Sequence, residues 1–153
     1  MNRPPLIGVV GSGRPSPRGE RWSREVGRLL ARAGATVLCG GLGGVMEAAA
    51  LGAKEAGGMS VGLLPGPDPA AANPHLTVAL ATGMGETRNA LIARAAQGLV
   101  AVEGELGTLS EMALGLKMGK PVVALASPWE LPGLVSAADP QEAVKKLLSL
   151  LNL

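Results

Sequence analysis

Short unbroken apolar runs alternate along the chain with stretches in which apolar residues recur every three or four positions. The runs at 6–10, 36–39, 60–64, 76–80, 99–102 and 121–125 predict strands, and the periodic stretches at 20–33, 45–56, 88–96, 109–118 and 140–151 predict helices. Strands that are apolar on both faces need cover above and below, and most gaps between them are long enough for a crossover helix. The pattern therefore predicts an α/β fold: a Rossmann-like, doubly wound, mostly parallel sheet with helices on both faces, formed as one domain over residues 1–153. Asp139-Pro140-Gln141-Glu142 supplies a cap, a proline at the first helical position and a capping-box acid for the last helix. The segment 65–74 holds Pro65, Pro67, Pro69 and Pro74 and reads as a stiff loop walling a cleft.

In such a sheet the ligand lies beyond the carboxyl ends of the strands, and glycines gather at those ends here. Gly40-Gly41-Leu42-Gly43-Gly44-Val45-Met46-Glu47 follows one strand, and Gly104-Glu105-Leu106-Gly107-Thr108-Leu109-Ser110-Glu111 follows another. A strand that ends in glycines opening a helix leaves free backbone N–H groups and a positive dipole end, which together bind phosphate. Gly11, Ser12, Gly13 and Arg14 follow the first strand and complete a three-sided cradle over 11–18, 40–44 and 104–108. The spacing is not the dinucleotide fingerprint, so NAD and FAD are disfavoured.

Composition narrows the ligand. With no Phe or Tyr and only Trp22 and Trp129, the chain lacks stacking platforms for single-stranded nucleic acid. A formal charge of +2 does not favour a nucleic-acid or membrane partner. Seven of the nine arginines lie in residues 1–32. Arg24, Arg28 and Arg32 are spaced as a solvated helix face, whereas Arg14 and Arg18 fall in a loop suited to an anion. Cys39 is the single cysteine and reads as a buried thiol, and His75 is the single histidine, without a partner at metal-ligand spacing. No signal peptide or membrane-length apolar run is present, so the expected setting is the cytoplasm.

Two charged residues stand near the cradle. Thr108-Leu109-Ser110-Glu111 fits a capping box in which Glu111 only closes a helix, yet the same position makes Glu111 a cleft carboxylate. Arg88 falls in a helix's first turn, where a cation meets the positive dipole end. It is either a surface arginine paired with an acid such as Glu86, or a guanidinium that meets an anion or Glu111 in the cleft.

Gly40-Gly41-Leu42-Gly43-Gly44-Val45-Met46 resembles the Gly-Gly-x-x-Gly-x-Met motif of the Lonely Guy family. Gly107-Thr108-Leu109-Ser110-Glu111 resembles the end of that family's Pro-Gly-Gly-x-Gly-Thr-x-x-Glu motif. The resemblance implies a Rossmann-like fold, a homodimer or higher homo-oligomer, and hydrolysis of the N-glycosidic bond of nucleoside 5′-monophosphates, with Arg88 and Glu111 at the catalytic positions. It gives no support to lysine decarboxylation, because the cleft motifs offer no lysine for pyridoxal phosphate. Two features depart from the hydrolases: Glu103-Gly104-Glu105 stands where they have Pro-Gly-Gly, and Asn89 where they have Lys. A Glu103 or Glu105 carboxylate turned inward would repel phosphate.

Thr87-Arg88-Asn89, Met46-Glu47-Ala48 and Leu109-Ser110-Glu111 look more like the branch of the molybdenum cofactor carrier proteins, which bind a phosphate-bearing pterin without known turnover. The expected ligand is a phosphorylated, nucleotide-like small molecule, either molybdenum cofactor or a nucleoside monophosphate, with no metal site and no other cofactor required. The expected function is binding, with phosphoribohydrolysis as the alternative.

Overall fold

A computed structural model describes residues 2–153. Seven strands form one sheet: β1 (Leu6–Gly11), β2 (Thr36–Cys39), β3 (Ser60–Leu64), β4 (Val78–Ala81), β5 (Gly98–Val102), β6 (Val122–Leu125) and β7 (Val135–Ala137). Their order is β4-β3-β2-β1-β5-β6-β7, and all six pairings are parallel. The winding reverses at β1, whose Ile7 stands in register with Val37 on one side and Gly98 on the other. This reversal opens the crevice that doubly wound folds use for ligands.

Five α-helices cover the sheet: α1 (Pro17–Arg32), α2 (Val45–Glu55), α3 (Arg88–Ala95), α4 (Leu106–Lys117) and α5 (Pro140–Leu150). α1, α2 and α5 share one face, where Val26, Leu30, Ala49, Ala53 and Leu147 close over Ile7, Val9, Val37, Val100 and Val102. α3 and α4 share the other, where Ile92, Ala96 and Met112 pack on Val10, Leu38, Leu99 and Ala101. Alternate strand residues thus feed two aliphatic layers, each fully buried side chain contributing about 1.5–3 kcal/mol. α1 and α2 approach closely because a side chain at Gly27 or Gly52 would collide with the other helix's backbone, at 2.0 Å from Ala49 O and 1.8 Å from Arg24 O.

Several predicted boundaries move. α1 starts three residues before position 20, because Ser16 caps it by accepting from Gly19 N–H and Pro17 takes the first helical position. Arg18 is consequently helical and lies over the Trp22 ring, 4.6 Å from its centroid, rather than in a loop facing an anion. α4 also starts three residues early, at Leu106. β4 begins at Val78, after the expected start at 76, and β7 was not predicted. The arginine face is not simply solvated, since Arg24 and Arg28 reach across to Glu55 of α2. No helix among the described residues is long and apolar enough to cross a membrane.

Candidate functional site

The cleft residues come from four turns at the carboxyl end of the sheet. Arg88 opens α3 and Glu111 lies one turn into α4, and both are buried, at 8% and 7% exposure. The surface reading of Arg88 with Glu86 is therefore overturned. Burial lowers the pKa of the guanidinium and raises that of the Glu111 carboxyl to about 8, and each charge opposes the shift of the other. Arg88 Nε is buried without a hydrogen-bond partner, an arrangement that a close-packed protein interior disfavours unless an anion or water completes it.

Glu111 is not a helix cap. The cap of α4 is Glu105, and Thr108 is its third residue, with Thr108 Oγ1 accepting from Glu105 N–H at 3.2 Å. The capping box is real but shifted by three residues, which leaves Glu111 buried within the electrostatic influence of Arg88, with no ion pair between them within 4.0 Å. Cys39 joins the same cluster: burial pushes its thiol up to about 11, opposed by the Gly41 N–H and by Arg88. Sequence spacing gave no sign of that neighbourhood.

The glycines divide by what surrounds them. A side chain at Gly40 would meet Arg88 Nη1 at 2.0 Å, so the missing side chain leaves the space that the guanidinium occupies. Gly41 makes room for Leu64, Gly44 for the Ser12–Gly13 backbone, Gly11 for Val102 O and Val45, and Gly104 for Thr108 and Trp129. At Gly13 nothing lies within 4 Å, at Gly43 only Glu47 Oε2 at 3.9 Å, and at Gly107 only Asn89 Nδ2 at 3.6 Å. These three are exposed and uncrowded, in the loop before α1, just before α2 and in the first turn of α4, and only Gly13 has nothing against it.

Helix starts differ in the same way. Ser16, Glu105 and Asp139 stand at the caps of α1, α4 and α5, whereas α2 begins at Gly44 and α3 at Thr87 without any side-chain cap. The first N–H of each is held by backbone, Val45 N–H by Ser12 O and Arg88 N–H by the carbonyls of the 3-10 turn Gly85–Thr87, and the positive dipole end beyond it is left without a side-chain cap. Glu103 and Glu105 do turn inward: Glu103 takes both donors of Ser16, at 2.8 Å to N and 2.7 Å to Oγ, and Glu105 Oε1 accepts from Ser12 Oγ at 2.8 Å. Ser12 Oγ in turn accepts from Arg14 N–H at 2.9 Å, while the Arg14 side chain is exposed.

Two open grooves flank the cleft. One of about 650 Å³ runs between α1 and α2 past Arg21, Gly44, Glu47 and His75. His75 Nε2 stands 3.8 Å from Glu47 Oε1. The other, of about 520 Å³, runs between α3 and α4 past Thr87, Asn89, Gly107 and Ser110, with Asn89 Nδ2 donating to Ser110 Oγ at 3.3 Å. Arg88 and Glu111 line neither.

A family model matches residues 4–149 and is that of the SLOG cluster4 family. The chain belongs to the SLOG cluster4 family. It is 41% identical over 143 residues, 94% of each chain, to an uncharacterized protein of Archaeoglobus fulgidus. Among solved structures it superposes on the molybdenum cofactor binding protein of Rippkaea orientalis with a TM-score of 0.92, at 32% identity and 99% coverage of both chains. The molybdenum cofactor carrier protein of Chlamydomonas reinhardtii gives a TM-score of 0.89 at 36% identity, covering 99% of this chain and all of that one. As an SLOG cluster4 member with these neighbours, the chain takes its place in the Lonely Guy superfamily, in the branch of the cofactor carriers, as its motifs imply.

Proposed function

We propose that this chain is a single-domain carrier of a phosphorylated, nucleotide-like molecule of the molybdenum cofactor type. The phosphate meets the uncapped start of α2 at Gly43, the body of the ligand spans the open glycines Gly13 and Gly107, and Arg88 lies beneath. The observation that carries the reading is Arg88, a buried guanidinium with an unpartnered Nε, beside a buried carboxyl whose charged form burial disfavours. A site with this imbalance favours an anion. The likeness to proteins named as binding and carrying molybdenum cofactor supports the same ligand class. A cytoplasmic setting and self-association belong to the reading, and Val78 and Leu80, exposed on edge strand β4, offer a surface for a second copy.

A specific observation also favours a second reading. A carboxyl lifted to about 8 can hand a proton to a leaving base, as the acid of a glycoside-cleaving pair does. As a phosphoribohydrolase the chain would use Arg88 to orient the ribose phosphate and Glu111 as the acid. Thermal shifts with molybdenum cofactor, nucleoside monophosphates and ribose 5-phosphate, with free base assayed in the same wells, separate the two. The carrier reading expects stabilisation of about 2.7 kcal/mol at 100 times the dissociation constant of the cofactor, without base release. Release of base from a monophosphate, abolished in Glu111→Ala, overturns it in favour of hydrolysis.

A further inference from the structure

We infer that Glu103 is a resident anion that closes the α1 end of the cleft, so that the site accepts a single phosphate group and rejects a pyrophosphate. This specificity role rests on the carrier reading and deepens it.

Doubly wound folds commonly seat a pyrophosphate on the helix that follows β1. Here that position is filled from within. Glu103, in the turn after β5, places its Oε1 2.8 Å from Ser16 N and its Oε2 2.7 Å from Ser16 Oγ, on the first turn of α1. Two further features are shaped around this contact. A side chain at Gly19 would lie 2.1 Å from Glu103 Oε1, so α1 is hollowed where the carboxylate enters. Glu103 itself holds a φ of 53°, a left-handed backbone conformation that residues with a Cβ disfavour. Glu105 acts alongside it by taking the Ser12 hydroxyl at 2.8 Å.

A second phosphate at α1 would therefore meet a carboxylate in contact with the donors it needs, and like charges at that distance repel. The start of α2 holds no carboxylate: Val45 N–H donates to Ser12 O at 3.0 Å, and no side chain caps the N–H groups that follow. The asymmetry admits a phosphomonoester and excludes a ligand whose two phosphates would bridge α1 and α2.

The test compares inorganic phosphate with inorganic pyrophosphate by titration calorimetry, using the wild type, Glu103→Gln and Glu103→Ala. Glu103→Gln keeps the shape of the side chain without its charge, which guards against a failure of Glu103→Ala to fold. Pyrophosphate affinity is expected to rise about tenfold in either folded variant, with phosphate affinity changing by less than about threefold. Unchanged pyrophosphate affinity in variants with wild-type circular dichroism overturns the inference and leaves Glu103 as a helix contact only. Because both probes are inorganic, failure of the cofactor to bind leaves this outcome readable.

Discussion

Glu111 takes its chemical character from its surroundings. Its ordinary pKa is 4.5 and burial lifts it to about 8, so between these values the folded protein holds a proton that the unfolded chain has released. Stability accordingly falls as pH rises through that window and levels off above it. Glu111→Gln removes the slope: at pH 8.5 its melting temperature should exceed that of the wild type by roughly 10 °C or more, with little difference near pH 5. Parallel melting profiles of the two proteins from pH 5 to 9 would contradict this. The sequence made Arg88 legible as a cation at the wrong end of a helix, and burial beside Glu111 accounts for that placement. It left Glu111 ambiguous because Thr108 is a better capping residue by type than Glu105, and yet Glu105 is the cap. The roles of Cys39 and Gly19 were illegible, since each depends on groups dozens of residues away.

At the scale of elements, strands buried on both faces were read within a residue or two, because continuous apolar runs bounded by glycines leave little choice. The three-residue edge strand β7, Val-Ser-Ala, carries no such run and was missed. Helix starts were read late where the cap stood outside the periodic stretch, as at Ser16 and Glu105. The distance between Arg88 and Glu111 depends on how α3 and α4 are joined, and Lys120 is one join. Its Nζ donates to Ala93 O, Arg94 O and Ala96 O at the end of α3, where an ammonium also meets the negative dipole end. Lys120→Met should therefore cost about 1–2 kcal/mol and lower the melting temperature by roughly 2–8 °C. A melting temperature unchanged by the substitution would show that the three contacts carry no net stability.

For the whole molecule, the sheet reversal at β1 brings three glycine turns to one edge, and the protein then treats them differently. The turn before α1 is filled by Glu103 and Glu105, the start of α2 is left uncapped, and α4 closes its own capping box. Glycine patterns alone predict three equal arms; only the side chains that enter them distinguish an occupied arm from an open one. We propose that the ligand held over Arg88 is a phosphorylated pterin. This is tested most directly by anaerobic titration of purified molybdenum cofactor into the wild type and Arg88→Ala, followed by the absorbance of the cofactor. Binding to the wild type should saturate, and a folded Arg88→Ala should bind at least about tenfold more weakly. Absence of saturable binding to the wild type, or undiminished affinity in the variant, would contradict this proposal.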